Sequence, residues 1–575
     1  MSALPPLAIV LPALAAVVLL GAGRWLPRRA VDGLATAASA GTLALDLALL
    51  AHGGRVVVWS GGWTPPAHGF AIGIVLVADP LGAGMAAVAA ALVTAALVFG
   101  WQYYESQSGR YHALLLLFLT GMTGFALTGD LFDMLVFFEL MGAVAYALTA
   151  FLIEDESAVQ GGLNFGIVNS LGAYVTLTGV ALLYGRTGRL GLPQLGAWLS
   201  GHRPDVLVVV AFVLISVGWL VKAAAFPFHF WTADAEAAAP APVCAVLSGA
   251  MVELGVLGVA RVYWTAFSGV LPPADVRPAL VVVGVLTALT GAVMCLQQRD
   301  LKRLLAYSTI GHVGLLLIAA GMLRTDALAG AAVYLLGQSG VKASLFLVAG
   351  VLRDRWGSVD AAVLQGRGRA SDPVLWVMLA GALGLAALPP FGTALGAGVV
   401  EAAAGGAEPL VTAMFVVVGA ATGGAVLASA ARVFFGAGRR VPGVDRPADS
   451  DEPETGVRLS GTPVSMLLAA AALAVGGLAA GFAPPGTIGA AAGIFTGVRS
   501  AVDGWSVAAV GAGFATAVLA VAVAAAGLHG FRPGILQLPL AALRRLHSGH
   551  VGDYVAWLVA GTAALLVLVA VPTLL

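Results

Sequence analysis

The chain has 575 residues, of which 60% are hydrophobic and only 10% are charged, and its mean hydropathy is +0.96. Because soluble domains carry about 25% charged residues, this composition excludes a soluble globular protein and indicates an integral membrane protein. The 29 basic and 29 acidic residues give a formal net charge of zero, so charge gives no reason to expect nucleic acid as a partner.

Apolar runs predict about 16 transmembrane helices, because crossing about 30 Å of hydrocarbon takes roughly 20 helical residues. The runs lie at 5–22, 33–52, 75–100, 112–128, 132–153, 163–185, 206–230, 240–265, 278–297, 303–323, 328–351, 374–402, 409–436, 463–483, 505–527 and 551–573. The first run is interpreted as a span and not as a cleavable signal peptide, because no basic residue precedes it. Basic residues cluster in the odd-numbered loops, which predicts cytoplasmic odd loops and outside termini.

The expected fold is an all-α integral membrane protein with about 14–16 transmembrane helices. The predicted segments are an N-terminal three-helix segment (1–110), a first five-helix repeat (111–265), a second five-helix repeat (278–436), a cytoplasmic linker (437–462) and C-terminal helices (463–575). A short exposed strand or hairpin is predicted at 55–63. Pro227 interrupts span 7, and Pro389 and Pro390 interrupt span 12. An offset of five spans gives the broken helices opposite orientations, as an inverted repeat requires.

Lys222 lies in an apolar run next to a break in the helix. Pro227 cannot donate to the carbonyl of Ala223, so the helix must kink or open there. Ionisable groups at membrane depth are costly and generally functional. We therefore predict a hydrated pocket in which Lys222 gains and loses a proton, the alternative being a lysine that snorkels to the interface. His229 and Glu253 follow along the same stretch.

Glu139 is the predicted counter-ion of Lys222, because its charge falls near the middle of span 5. Pairing would offset the cost of both buried charges, and separating the pair would change the protonation of both groups.

Several motifs carry a family resemblance. They are Lys222, Pro227, Phe228, His229, Trp231, Asp234 and Ala235 around the break, residues 300–314 (DLKRLLAYSTIGHVG), Glu139 in a Phe-Phe-Glu-Leu-Met context, and Lys342 in KASLFLVAG. These motifs resemble the antiporter-like membrane subunits of respiratory complex I, of multisubunit Mrp-type cation/proton antiporters and of energy-converting hydrogenases. With its predicted span number and the ending HSGHVGDYVAWL, the chain looks most like the hydrogenase 4 component B branch, the formate hydrogenlyase subunit 3 type.

The resemblance implies roles for individual residues. Glu139 and Lys222 would form the ion pair, Lys342 would be a lysine of the central axis, and His312 a bridging group, with a packed helix-end histidine as the alternative. The predicted proton-translocation residues are Glu139, Lys222, His229, Glu253, His312, Lys342 and Glu401.

The chain also departs from the family pattern at several positions. Glu253 stands where many relatives carry lysine, Gln338 where they carry histidine, and Ala397 where they carry lysine or glutamate. Glu236 likewise replaces a histidine. Glu401, four residues after Ala397, lies on the same helix face and is predicted to substitute for it.

Charges at span ends are predicted to be structural. Lys302 and Arg303 are interpreted as a solvated cytoplasmic anchor. Asp79, Asp130 and Asp133 are interpreted as interfacial caps.

These residues predict a proton-translocating membrane subunit of a redox-driven complex, either NADH:quinone oxidoreductase-like or hydrogenase-like. It would move H⁺ at the membrane midplane of the cell inner (plasma) membrane, contact lipid and other membrane subunits, and have no catalytic centre of its own. Cys244 and Cys295 cannot build a disulfide framework or a Cys-ligated cluster, and no spacing forms a metal site, so no cofactor and no metal are expected.

Three alternatives stay open. The first is an Mrp-type Na⁺/H⁺ antiporter subunit in which Asp130, Asp133 or Glu253 handles sodium. The second is a structural or energy-coupling subunit with an incomplete proton path, which Ala397 and Gln338 favour. The third is a subunit that drives inorganic carbon uptake with a soluble partner.

Overall fold

The computed structural model describes residues 1–63, 73–101, 109–405, 408–440, 454, 458–530 and 549–574. Its helices are α1 (Leu4–Ala22), α2 (Arg28–His52), α3 (Pro80–Gly100), α4 (Arg110–Leu127), α5 (Leu131–Thr149), α6 (Glu156–Thr187), α7 (Leu192–Leu199), α8 (Val206–Lys222), α9 (Phe230–Ala238) and α10 (Ala241–Phe267). They continue as α11 (Pro273–Cys295), α12 (Leu301–Gly321), α13 (Thr325–Trp356), α14 (Pro373–Leu385), α15 (Gly392–Ala404), α16 (Pro409–Phe435), α17 (Val464–Ala479), α18 (Pro485–Thr496), α19 (Val507–Leu528) and α20 (Val551–Leu574).

The all-α membrane architecture predicted from the sequence is confirmed. Fourteen helices in the described part of the chain are long and apolar enough to cross a membrane. Three shorter apolar helices, α8, α14 and α15, belong to the two interrupted spans at Pro227 and Pro389–Pro390. The division into two inverted five-helix repeats stays a prediction.

Carboxylates at the starts of several helices cap them. The side chain of Asp79 accepts a hydrogen bond from the backbone N–H of Gly82, and Asp130 accepts from those of Phe132 and Asp133. A carboxylate in this position satisfies N–H groups that have no partner within the helix. Asp79 also forms a buried ion pair with Arg261, at 2.7 Å.

A two-stranded antiparallel sheet joins α2 to α3. The strand predicted within 55–63 forms as β1 (Val56–Trp59), and its partner is β2 (Val75–Ala78), with Val56 opposite Ala78. Val57 is exposed, whereas every residue of β2 is buried. The sheet therefore packs β2 against the helices.

At each interrupted span a side chain adds a hydrogen bond to a backbone carbonyl that also accepts from a backbone N–H. In the first break, the indole N–H of Trp231 donates to the carbonyl of Val221 at 3.0 Å. In the second, the hydroxyl of Thr393 donates to the carbonyl of Gly384 at 2.6 Å. Irregular backbone at membrane depth requires such partners, because lipid offers none.

The solvated anchor predicted for Lys302 is wrong, because its side chain is only 1% exposed. Its amine donates to the carbonyl of Ala239 and to the carboxylate of Glu454, which lies 3.0 Å from Arg353. Arg303 is exposed, as predicted. Of the linker predicted at 437–462, residues 441–453 and 455–457 lie outside the described residues.

Candidate functional site

Lys222 ends α8 and is completely buried. Its amine has no hydrogen-bond partner among the described residues and lies 4.1 Å from the centroid of the Phe138 ring. A Cβ at Gly142 would lie 3.1 Å from this amine, so the glycine leaves the space that the lysine occupies. The side chain does not reach the surface of the chain, which argues against the snorkelling alternative.

Glu139 lies on α5 next to Phe138, and it is exposed on the outside of the helix bundle. It forms no ion pair with Lys222 within the described part of the chain, although the two charges are close enough to interact electrostatically. Glu139 lies about one helical turn before Gly142, where an added Cβ would lie 3.1 Å from the lysine amine. The structure therefore places the predicted pair in proximity but not in contact.

The break between α8 and α10 holds three further ionisable residues. His229 is buried, and its ring lies between those of Phe226 and Phe230. Asp234 accepts a hydrogen bond from the hydroxyl of Tyr554 at 2.8 Å. Glu236 is fully buried, and neither of its carboxylate oxygens has a hydrogen-bond partner among the described residues.

Glu236 was not among the predicted proton-translocation residues. Its carboxylate interacts electrostatically with Lys302 and Lys342. Glu236 is therefore within electrostatic reach of two buried lysines on different helices, Lys302 on α12 and Lys342 on α13. The available sequence signal was a charge close to two prolines inside an apolar stretch.

Glu253 follows a π-helical segment of α10, Leu247–Met251. Its carboxylate is fully buried and accepts hydrogen bonds from the Gln338 amide at 2.6 Å and the Ser339 hydroxyl at 2.7 Å. Two positions that depart from the family pattern, Glu253 and Gln338, are thus direct partners. π-helical turns are frequent at functional sites because they change the direction of the side chains that follow.

Lys342 lies one turn after Gln338 on α13 and is also completely buried. Its amine donates a hydrogen bond to the hydroxyl of Ser308 on α12, at 2.7 Å. It interacts electrostatically with Glu236 and Glu253. Lys342 therefore interacts both with Glu236 in the break of span 7 and with Ser308 on α12.

His312 lies in the middle of α12, and both of its ring nitrogens have partners. Nδ1 is 2.7 Å from the hydroxyl of Tyr334 on α13, and Nε2 is 3.0 Å from the hydroxyl of Thr422 on α16. Each hydroxyl can donate or accept a hydrogen bond. The imidazole therefore connects two groups that carry exchangeable protons. This position does not fit the alternative of a helix-end histidine.

Glu401 lies near the end of α15, where its half-buried side chain lines a small cavity with Ala397 and Thr516. The cavity of about 10 Å³ has room for one water molecule. Thr516 belongs to α19, so a helix of the C-terminal segment contributes to the region predicted as the exit.

The buried groups offer exchangeable protons. Across the described residues, no group of three or more His, Cys, Asp or Glu side chains could hold a metal ion. Lys222, Glu236, Glu253, His312 and Lys342 are instead dispersed through the middle of the bundle, each 2% exposed or less. Such groups can take up and release protons, with hydroxyls and water between them.

The chain is similar in sequence to known membrane proteins. Residues 128–423 match the family described as NADH:quinone oxidoreductase/Mrp antiporter, TM. The NADH-quinone oxidoreductase subunit N of Desulforudis audaxviator is 32% identical over 401 residues, which cover 67% of this chain and 77% of that protein. A Na⁺/H⁺ antiporter protein of Alkalihalophilus pseudofirmus is 29% identical over 340 residues, covering 59% of this chain and 67% of that protein.

The fold is also similar to that of a solved membrane complex. A chain of the membrane-bound sulfane sulfur reductase, an archaeal respiratory membrane complex, superposes with a TM-score of 0.75 at 23% identity. The match covers 86% of this chain and 97% of that chain. The family resemblance predicted from the motifs is confirmed, while the hydrogenase 4 branch stays a prediction.

Proposed function

Because the chain belongs to the NADH:quinone oxidoreductase/Mrp antiporter membrane family, we propose that it is an antiporter-like subunit that translocates protons within a multisubunit, redox-driven complex. The observation that carries the proposal is the pair of completely buried lysines, Lys222 and Lys342, each with acidic groups within electrostatic reach. Buried lysines are rare because hydrocarbon disfavours the ammonium form, and a nearby carboxylate decides whether that form persists.

The first step is an exchange between Glu139 and Lys222. While Glu139 is ionised, its charge stabilises the ammonium of Lys222. A proton that binds Glu139 removes this stabilisation, and the buried amine then releases its own proton into the break around His229 and Glu236. The Lys222 amine has no hydrogen-bond acceptor among the described residues, which supports this step, because only the field of Glu139 and the weaker contact with the Phe138 ring favour the ammonium form.

The second half of the path leads from Glu236 to Lys342 and on to His312. The hydroxyls of Ser308, Tyr334 and Thr422, which contact Lys342 or His312, are donors and acceptors that relay protons. Glu401 and the water-sized cavity beside it form the exit towards the outside.

The exposure of Glu139 supports a neighbouring subunit at this face. A carboxylate at membrane depth that faces lipid is costly, whereas one covered by another protein can find a partner. We propose that a second membrane subunit packs against α5 and completes the entrance. The complex would lie in the cell inner (plasma) membrane.

A sodium/proton antiporter subunit is the second candidate function, and one observation favours it. The carboxylate of Glu253, the hydroxyl of Ser339 and the amide of Gln338 lie together, and the amide oxygen has no hydrogen-bond partner in the described structure. If the Gln338 amide turns over, each of the three side chains offers an oxygen, which is the ligand type that a hard cation prefers. Asp130 is a weaker sodium ligand, because its carboxylate caps α5.

The test is proton transport by the intact complex in proteoliposomes carrying Lys222→Ala. We expect proton transport to be lost while the electron-transfer rate of the partner subunits persists. Arg303→Ala, which removes an exposed charge, is the matched control and should transport as the unmodified complex does. Undiminished transport by Lys222→Ala would overturn the proposal. Transport that requires sodium and disappears in Glu253→Gln would favour the antiporter.

A further inference from the structure

Helix α2 buries a row of polar side chains that the path through Lys222 and Lys342 does not use. Asp32, Ser39, Thr42 and Asp46 recur at intervals of seven, three and four residues, which places them on one side of the helix. All four are buried, whereas residues between them such as Gly33 and Leu34 are exposed. A membrane helix ordinarily buries small or apolar residues where it packs, so this polar face requires an explanation.

The polar face begins at a titratable pair near the basic end of α2. Nε2 of His112 on α4 lies 2.8 Å from a carboxylate oxygen of Asp32, and the guanidinium of Arg28 lies 3.5 Å from the other oxygen. Asp32 and His112 are 8% and 7% exposed, so the pair touches the surface. The arginines at this end place it on the cytoplasmic side.

Hydroxyl groups continue the row towards the middle of the membrane. The hydroxyl of Ser39 lies 2.8 Å from that of Thr94 on α3. Thr36 lies between Asp32 and Ser39 on α2, and Thr42 follows one turn later. Each hydroxyl can both donate and accept a hydrogen bond, which is the property that a proton relay needs.

Asp46 ends the row and has no visible partner. It is 0% exposed, and neither carboxylate oxygen has a hydrogen-bond partner in the described structure. It lies about 21 Å along the helix from Asp32 and about 9 Å before the helix end at His52. The contact of Ser39 with Thr94 sets the register of α2 and α3, so Asp46 faces the small residues of 83–87.

The helices around Asp46 supply no charge to stabilise a carboxylate. Neither α1 nor α3 contains an ionisable side chain, and α4 contains only Arg110 and His112, both at its cytoplasmic start, besides the weakly acidic Tyr111. An ionised carboxylate here would be buried without a hydrogen-bond partner among the described residues, so the stable form is the neutral acid. A single carboxyl without further oxygen ligands does not replace the hydration shell of a metal cation, which leaves the proton as its ligand.

We propose that Asp46 is a second proton-binding site, separate from the Lys222 and Lys342 path and filled from the cytoplasm through the Asp32–His112 pair. A proton taken up by that pair passes along the hydroxyls of α2 and α3, with water between them, and converts the Asp46 carboxylate to the acid. Residues 47–51 are apolar, so no polar side chain of α2 continues the route before His52. The site therefore stores a proton and returns it to the same side.

Infrared difference spectroscopy of the intact complex in lipid, exchanged between H₂O and D₂O at neutral pH, tests this site. We expect carbonyl bands of protonated carboxyl groups that shift in D₂O, one of which, distinct from those of Glu236 and Glu253, is lost in Asp46→Asn. Asp32→Asn and His112→Gln should retain the band but slow its exchange, since they interrupt the entry. Asp553→Asn removes an exposed carboxylate and should leave the band unchanged.

A set of carboxyl bands that is unchanged in Asp46→Asn would overturn the proposal, and so would exchange at the unmodified rate in both Asp32→Asn and His112→Gln. If the asparagine variant fails to assemble, Asp46→Leu replaces it, because leucine fills the apolar site without a hydrogen-bonding group. The same carboxyl band should be lost in this variant. In Lys222→Ala the band should remain while transport is lost. The two proposals can therefore fail separately.

Discussion

The position of the Lys222 amine depends on its neighbours and not on a hydrogen bond. The ring of Phe138 lies on one side, and the missing side chain of Gly142 leaves room on another. An ammonium over an aromatic ring gains about 0.5–2 kcal/mol, which is less than the cost of breaking a buried ion pair. The proton on Lys222 is therefore held loosely enough to be released.

Gly142→Ala tests this placement. The added Cβ would lie 3.1 Å from the amine, so the lysine must shift. We expect proton transport to fall several-fold. The free energy of unfolding should stay equal or rise by about 0.5–1 kcal/mol, because alanine favours the helix more than glycine does. Gly33→Ala on α2 is the control, since no atom lies within 4 Å of its added Cβ. Equal transport by both variants would show that the space at Gly142 has no role.

Single residues differ in how far the sequence predicts them. The burial of Lys222 follows from local signals, a charge within an apolar run before a proline. The outward direction of Glu139 has no such signal, because α5 is apolar on all its faces. Glu253 and Gln338 are 85 positions apart in the sequence, so their contact could not be predicted from a single sequence.

At the scale of elements, one side chain at each interrupted span adds a hydrogen bond to a carbonyl at the end of the helix before the break. Trp231 serves the first break and Thr393 the second. The prolines that mark both breaks are visible in the sequence, whereas these partners depend on the folded path of the chain.

Trp231→Phe and Thr393→Val should each lower the free energy of unfolding by about 0.5–1.5 kcal/mol, because a buried carbonyl loses one of its two donors and keeps only the backbone N–H of Ala224 or Ala387. Thermal unfolding in detergent measures this loss. Thr178→Val, which removes an exposed hydroxyl bonded within α6, should change stability little. If both break variants unfold like Thr178→Val, the two bonds do not hold the breaks in place.

At the scale of the whole molecule, Glu454 joins the linker to three helices. Its carboxylate accepts from the backbone N–H of Ala241 at 2.9 Å and lies within 3.1 Å of the Lys302 amine and the Arg353 guanidinium. This cluster fixes the start of α10, which follows the break beside Lys222. The sequence predicted a solvated Lys302 because its partner lies 152 residues away.

Glu454→Ala should destabilise the protein by about 3–5 kcal/mol, because it leaves two buried cations without their carboxylate. Glu454→Gln should cost less, since its amide oxygen still accepts from Ala241. The midpoint of thermal unfolding reports both effects, and Asp503→Asn, at an exposed loop residue, is the control. A Glu454→Ala variant as stable as this control would contradict the structural role of the cluster.

The central claim is that protons cross this subunit along one continuous path through both buried lysines. The most direct measurement is the number of protons transported per turnover of the complex in Lys222→Ala, Lys342→Ala and the double variant. Because groups in series share one flux, we predict that each single variant loses transport and that the double variant is no worse than either. Partial losses that add up in the double variant, or full transport in either single variant, would contradict a single path.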